Sequence, residues 1–203
     1  MSFFERTQAE APATPRRLPT WLRPPANVVP VDMPLGLLIA RTEAAVIAVP
    51  AVQVYPIGLS FSLMIRIRDQ PGTRVGVHHT QYAFDPSSDD FVRLGVQFAN
   101  GRKATNLRRP RPPSDQPPAG PLLTPHGGSG SIGAWDTYYW LWPLPPPGRL
   151  LIVAEWPAQH ISESAVEVAA DPILEAAARA VTLWPEDDAP GDPAGYVRID
   201  GGS

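Results

Sequence analysis

Serine, histidine and carboxylate side chains are the groups of this chain that could do catalytic chemistry, but their spacing matches none of the common catalytic motifs. Ser129 and Ser131 lie in Gly-Gly-Ser-Gly-Ser-Ile-Gly, which lacks the nucleophile elbow of hydrolases and the lysine of a phosphate-binding loop. His126 and His160 could titrate near neutral pH, but no serine stands in a recognisable nucleophile context and the chain has no cysteine. We therefore expect that the protein is not an enzyme, and that the Gly/Ser run is a flexible linker.

Metal ligands are also poorly placed in the sequence. His78-His79 is the one pair of adjacent histidines, and neighbours in a strand point to opposite faces, so both cannot readily bind one ion. Asp85, Asp89 and Asp90 surround Pro86-Ser87-Ser88, a composition typical of a solvated turn. A calcium loop would need more ligands and a bidentate glutamate. We expect neither a metal nor a cofactor.

One cluster of positive charge stands out between residues 102 and 111. It consists of Arg102, Lys103, Arg108, Arg109 and Arg111. Its neighbours are Ala, Thr, Asn and Pro rather than aromatic residues, so the pattern does not indicate a nucleic-acid surface. Residues 1–111 carry fourteen Arg and Lys against eight Asp and Glu, whereas residues 112–203 carry three against twelve. We expect this basic cluster to contact an acidic partner protein or the acidic second part of the same chain.

Aromatic residues are concentrated between Trp135 and Trp156, where four of the six tryptophans lie. Residues 136–144 and 148–156 are rich in aromatic and β-branched side chains and flank a Pro-Pro-Pro-Gly turn, so the pattern predicts a hairpin. The candidate binding rings are Trp140, Trp142 and Trp156. They either fill a core or form an open platform for a sugar ring, a proline-rich peptide or a partner protein.

The elements that would position these residues are mostly strands. The clearest strand has Leu59, Phe61, Leu63, Ile65 and Ile67 on a buried face and Ser60, Ser62, Arg66 and Arg68 on an exposed face. Further strands are predicted at 35–41, 45–55 and 164–168, and a hairpin at Asn100-Gly101 joins 92–99 to 102–105. A helix is predicted from the N-cap Asp171 to Val181.

Together these elements favour an all-β protein. We expect an antiparallel β-sandwich of about eight or nine strands with one C-terminal helix, and a β-barrel is the alternative. Proline accounts for 27 of the 203 residues and interrupts regular structure. We expect a flexible Pro/Ala/Arg-rich tail at 1–27, one domain at 28–187 with a long Pro/Gly-rich loop at about 108–133, and a flexible tail at 188–203.

Four segments of the sequence resemble a family of uncharacterised actinobacterial proteins. The segments, in chain order, are LGLLIARTEAAVIAVPAVQVYPIGLSFSLMIRIR, LGVQFANGRKATNL, WDTYYWLWPLPPPGRLLIVAEWPAQHI and ADPILEAAARAVTLWPED. The resemblance spans about residues 20–187 and implies a cytosolic, single-domain protein of actinobacterial origin. That family has no assigned activity, so the resemblance implies no catalytic residue and no cofactor.

The sequence therefore predicts a non-enzymatic protein-interaction or structural module. The alternative is a small-ligand or carbohydrate-binding protein that uses an aromatic platform on the 135–156 hairpin. We find no apolar run typical of a signal peptide and no stretch long enough to span a membrane. We therefore expect a cytoplasmic protein that binds another protein and contacts neither membrane nor nucleic acid.

Overall fold

Strands make up most of the chain that the computed structural model describes, which is residues 18–68, 85–108 and 116–184. The strands are β1 (Val28–Val29), β2 (Val31–Arg41), β3 (Ala45–Tyr55), β4 (Gly58–Ile67), β5 (Arg93–Gln97), β6 (Lys103–Thr105), β7 (Leu122–Ser131), β8 (Ala134–Trp142), β9 (Arg149–Trp156), β10 (Ile161–Ala169) and β11 (Val181–Thr182). One α-helix, α1 (Asp171–Ala177), lies between β10 and β11, and a 3-10 turn covers Pro157–Gln159.

The strands form two large antiparallel sheets and a small ribbon. The five-stranded sheet has the order β2-β3-β4-β8-β7, the four-stranded sheet has the order β10-β9-β5-β6, and β1 pairs with β11. None of these sheets closes on itself, so the alternative of a β-barrel does not form. The predicted antiparallel β-sandwich with one helix is confirmed, with more strands than the eight or nine expected.

The core lies between the two large sheets, and β4 illustrates how the sequence builds it. Leu59, Phe61, Leu63 and Ile65 are each at most 2% exposed and alternate along the strand. They join Leu94, Val96, Leu150 and Ile152 of the other sheet in one buried cluster. Ile67, at the end of the strand, is only half-buried, as are Ser62 and Arg66, while Arg68 is exposed. Ser60 differs most from its predicted exposure, because it is buried on the opposite face of the sheet.

The hairpin predicted at Asn100-Gly101 is present. β5 and β6 pair from Gly95 opposite Thr105 to Gln97 opposite Lys103. Gly101 has a φ of 80°, a left-handed conformation that glycine adopts without steric cost. The Asn100 side chain accepts a hydrogen bond of 3.1 Å from the Arg102 amide, which closes the turn.

The hairpin predicted between 135 and 156 does not form. β8 pairs with β4 and β7, whereas β9 pairs with β5 and β10, so the two aromatic strands belong to different sheets. Residues 143–148 connect the sheets and include four prolines, which cannot donate to a ladder of backbone hydrogen bonds. Six residues also leave more room than the two-residue turns that hold neighbouring strands together.

The loop predicted at 108–133 is also wrong over most of the part that the structure describes. Residues 122–131 form β7, which pairs with β8 from Leu122 opposite Trp142 to Ser131 opposite Ala134. The Gly/Ser run therefore forms an edge strand. Glycine can pair in this way because it keeps both backbone hydrogen-bonding groups, even though it has no side chain. Gly133, with a φ of 75°, completes the two-residue turn into β8.

The C-terminal helix is shorter than predicted. α1 ends at Ala177, its N-cap is Ala170 rather than Asp171, and no side chain caps it. Val181, the last residue of the predicted helix, instead lies in β11 opposite Val29. The Leu183 amide continues this ribbon by donating to the Asn27 carbonyl at 2.7 Å. The chain therefore leaves the helix before Val181 and pairs with β1 there.

Several sequence predictions fall on residues outside the described ranges. These are most of the tail at 1–27, the whole tail at 188–203, the pair His78-His79, and Arg109 and Arg111 of the basic cluster. The single domain predicted over 28–187 stays a prediction. No helix among the described residues has the length and apolar character needed to cross a membrane.

Candidate functional site

Residues 18–27, which we call the N-terminal strap, lie across the outer face of the five-stranded sheet, the face that points away from the core. The strap turns at Pro19, whose carbonyl accepts a 2.9 Å hydrogen bond from the Leu22 amide. The Trp140 Nε1–H of β8 donates to the Thr20 carbonyl at 3.0 Å. The Trp21 ring lies 6.5 Å from the Trp142 ring, at an angle of 56°. Part of the predicted flexible tail is therefore seated on the sheet.

We call four aromatic side chains on the outer face of this sheet, at and beside the strap, the aromatic patch. They are Tyr55, Tyr138, Trp140 and Trp142. Trp140 is 0% exposed although it does not belong to the core cluster between the sheets. The Tyr55 ring meets it edge-on at 5.4 Å. Gly58 lies so close that a Cβ atom there would be 2.7 Å from the Trp140 ring, so that only glycine fits without movement. Trp140 is thus buried by the strap and by two neighbours on its own sheet.

The three tryptophans proposed as an open platform have separate environments. Trp156 is 4% exposed and lies in the core cluster, Trp140 is covered, and Trp142 is half-buried. Stacking of a sugar needs a free ring face, which neither Trp140 nor Trp156 offers. The predicted 135–156 hairpin does not form, and two of the three rings assigned to its platform are covered. Binding of a small ligand or carbohydrate stays a prediction.

A serine and a histidine that are far apart in the sequence meet beside the aromatic patch. The Ser60 hydroxyl of β4 lies 2.9 Å from Nε2 of His126, 66 residues away. Ser60 stands opposite Trp140 in the β4–β8 ladder, and a shift in register between Pro125 and Gly127 accommodates His126. The Tyr138 ring lies 6.2 Å from the imidazole. No local pattern could reveal this pair, because the pairing of three strands creates it.

The imidazole of His126 is held in its uncharged form at neutral pH. Burial lowers its pKa below the ordinary value, the positive charge of Arg23 on the strap lowers it further, and a hydrogen bond with its own backbone offsets part of the effect. When the ring proton is on Nδ1, Nε2 accepts the hydrogen bond of the buried Ser60 hydroxyl. The pair thus satisfies two polar groups beneath the strap.

A serine hydrogen-bonded to a histidine is also the beginning of a nucleophile–base pair. Ser60, however, lies in the middle of β4, paired with Gln53 on one side and Trp140 on the other. Its neighbouring backbone amides are used by the ladder, so they do not form an oxyanion hole. The arrangement suits a structural hydrogen bond better than acyl transfer. The expectation that the protein is not an enzyme stays a prediction.

The described members of the basic cluster lie on the surface of the β5–β6 hairpin and just beyond it. Arg102, Lys103 and Arg108 are exposed, and Arg102 donates to the Ala119 carbonyl. None of the three takes part in an ion pair with another described residue. The acidic part of the chain is instead contacted by Arg66, 3.0 Å from Asp136, and by Arg93, 2.8 Å from Glu155. The internal pairing suggested by the charge asymmetry therefore occurs at other arginines.

The remaining candidates offer little for catalysis or metal binding. Asp85, Asp89 and Asp90 are exposed, and hydrogen bonds from Ser87 lower the pKa of Asp85, as in a solvated turn. His160 is exposed in a left-handed turn. Within the described ranges, no three side chains are placed to hold a metal ion.

Comparison with known proteins leaves the site to be interpreted from its own geometry. The chain matches no protein-family model, no curated protein and no solved structure. The resemblance to actinobacterial proteins therefore stays a prediction, and any function must be argued from the strap, the aromatic patch and the Ser60–His126 pair.

Proposed function

We propose that this protein is a non-enzymatic protein-interaction module and that its recognition surface is the aromatic patch. One observation carries the proposal: the patch already holds a peptide segment, the N-terminal strap, through a tryptophan N–H and ring contacts. Tryptophan and tyrosine combine a large apolar area with a polar group, which is why they are enriched where proteins bind peptides.

The strap is less deeply buried than the tryptophan beneath it, and this difference favours a strap that can be displaced. None of the ten strap residues is fully buried, whereas Trp140 beneath them is. A segment without a fully buried residue opens at a lower free-energy cost than the core. Opening the strap would expose the Trp140 ring and leave its N–H without the Thr20 carbonyl. The exposed apolar ring would favour binding of a new segment, and that segment would have to supply an acceptor for the N–H when it buries it again.

The chemistry of the patch favours a protein partner rather than a nucleic acid. Of the strap and patch residues, Arg23 alone carries a positive charge, and a nucleic-acid surface needs several cations that follow the phosphates. We also propose a cytoplasmic location, in keeping with a chain that has no cysteine and needs no disulfide.

Site-specific photo-crosslinking tests the proposal by comparing three exposed positions. A photoreactive phenylalanine derivative is placed at Tyr138 in the patch, at Lys103 on the basic hairpin or at Leu183 beside the β1–β11 ribbon, all of which are exposed. In lysate of the source cells we expect a discrete cross-linked protein from Tyr138 and none from Leu183. Cross-linking from Lys103 alone would show that the partner binds at the basic cluster and not at the aromatic patch. The absence of cross-linking at all three positions would overturn the proposal.

A further inference from the structure

We propose that the partner of the aromatic patch presents a proline-flanked tryptophan peptide, and that the N-terminal strap is a built-in competitor for it. This inference rests on the proposed function and deepens it by naming the class of ligand. The strap sequence is Leu-Pro-Thr-Trp-Leu-Arg-Pro-Pro-Ala-Asn. It shows which ligand chemistry the outer face of this sheet accepts.

Two features of the strap define what a competing peptide must supply. The first is a backbone carbonyl, presented by a turn, that accepts the Trp140 Nε1–H as the Thr20 carbonyl does. The second is an aromatic ring beside Trp142, where Trp21 lies. A buried donor without an acceptor is costly, so a ligand lacking the turn would leave Trp140 unsatisfied. Together the turn and the ring favour a ligand that closely resembles the strap.

The prolines on both sides of Trp21 suit a segment that competes for the patch. Pro19 precedes the ring by two residues, and Pro24 and Pro25 follow it. Proline restricts the free peptide, so less conformational entropy is lost when the segment is bound. None of these prolines is fully buried. They therefore shape the backbone more than they fill a pocket, and a partner with the same spacing would present its tryptophan in the same way.

The covalent link gives the strap an advantage over any peptide in solution. The strap joins β1 directly at Val28, so it meets the patch at an effective concentration on the order of millimolar. A free peptide with the same contacts must reach a similar concentration to displace half of it. Weakening the strap alone would therefore raise the apparent affinity of the patch for the peptide.

The Trp21→Ala variant of the full chain tests whether a weakened strap raises the affinity of the patch for the peptide. A fluorescent peptide with the sequence of residues 18–27 is titrated against the wild-type protein and against the variant, and binding is followed by anisotropy. We expect weak binding to the wild type and about tenfold tighter binding to Trp21→Ala, because the competitor has lost its ring. The matched control is Leu18→Ala, at the exposed end of the strap, which should bind like the wild type. The same peptide with alanine in place of its tryptophan should not bind.

Equal affinity of the wild type and Trp21→Ala, or equal binding of the alanine peptide, would overturn the inference. Amide exchange of the wild type keeps the test independent of how well the variant folds. Excess peptide should speed exchange at the Leu22 amide, which is hydrogen-bonded within the strap turn, and unchanged exchange would also overturn it. The competing occupant of the patch is the strap of a second copy of the chain. If the protein formed concentration-dependent dimers that Trp21→Ala abolishes, the partner would be that second copy instead of another protein. If Tyr138 cross-links a protein but the peptide fails to bind, the proposed function stands and this inference falls.

Discussion

At the scale of single residues, Asn106 connects the two large sheets. Its Oδ1 accepts a 2.8 Å hydrogen bond from the Leu94 amide, and its Nδ2 donates to the Val92 carbonyl at 2.9 Å and to the Tyr139 hydroxyl at 3.2 Å. Leu94 belongs to the four-stranded sheet and Tyr139 to the five-stranded sheet. Asn106 is buried, so these bonds form away from water, where an unpaired group is expensive.

Replacing Asn106 with leucine should lower the free energy of unfolding by about 3 kcal/mol, because three buried polar groups lose their partner. Tyr139→Phe is the matched comparison, since it removes one of the three bonds and keeps the ring that stacks on Phe61 at 5.9 Å; its cost should be about 1 kcal/mol. Urea unfolding of both variants measures the difference. Equal small losses would contradict a role for Asn106 in joining the sheets.

Residues such as Asn106 and Ser60 mark a limit of sequence reasoning. Alternation along β4 correctly predicted which side chains face the core, but it assigned Ser60 to solvent. Alternation identifies the two faces of a strand and does not reveal what covers the outer one. Asn106 follows the short strand β6 in a segment that resembles a turn, and its bonds depend on residues 12 to 33 positions away.

At the scale of elements, β7 shows why a glycine-rich run need not be a linker. Gly130 stands opposite Trp135, and a Cβ atom there would overlap the Cδ1 atom of the ring and lie 3.1 Å from Nε1. Gly127, in the same strand, would place its Cβ atom 3.5 Å from Tyr138, an ordinary contact. At position 130 glycine therefore makes room for a buried indole. The sequence pattern could not separate this packing role from simple flexibility.

These two glycines give a matched prediction. Gly130→Ala should destabilise the protein by about 1 to 3 kcal/mol, because the ring or the strand must move. Gly127→Ala should change stability little, since its Cβ atom fits. Thermal unfolding of the two variants provides the comparison. Similar midpoints for Gly130→Ala and Gly127→Ala would show that β7 is looser than its register with β8 indicates.

The strap should respond to acid through His126. Among the residues that the structure describes, the charged and titratable groups that face this ring are Arg23 on the strap and Tyr138 on β8, and Arg23 contributes to the lowered pKa of the imidazole. When the strap opens, the pKa of His126 returns toward about 6.5. The open form then binds the proton better than the closed form does. Closure of the strap is therefore unaffected by pH above about 6.5, and it weakens as the pH falls from there through the lowered pKa that His126 has in the closed form.

Acrylamide quenching of tryptophan fluorescence between pH 7.5 and 5 measures this response. We expect quenching to increase toward pH 5 as Trp140 and Trp142 become accessible, in a range where most carboxylates stay ionised. The His126→Gln variant keeps a polar group near Ser60 but does not titrate, so its quenching should be nearly independent of pH. An acid response of the same size in His126→Gln would assign the effect to another group.

At the scale of the whole molecule, the fold class was easier to predict than the pairing of the strands. Turn residues and alternating side chains were enough for the β-sandwich, because they are local signals. Which strands become neighbours is decided by burial across the entire chain, so β8 pairs with β4, whose partner residues lie 68 to 82 positions earlier, rather than with the adjacent β9. The proline connection at 143–148 favoured a hairpin in the sequence and is instead the crossing between sheets.

Charge asymmetry contributes less to the fold than the shared core does. The Arg66–Asp136 and Arg93–Glu155 pairs join the basic and acidic parts, but their side chains are 28% to 39% exposed. Solvent-accessible pairs of this kind typically contribute less than about 1 kcal/mol each. The buried cluster, in contrast, takes side chains from both large sheets. The two sheets are therefore expected to unfold as one unit.

Native-state hydrogen exchange in low urea tests this cooperativity. Amides of β4 in the five-stranded sheet and of β9 in the four-stranded sheet should show the same free energy of opening, equal to that of global unfolding, because neither sheet can keep its inner face buried without the other. The Leu22 amide of the strap should exchange by local opening, at a lower free energy that depends little on urea. If β9 opened at a lower free energy than β4, the sheets would be separate cooperative units, and the bonds of Asn106 would not couple them.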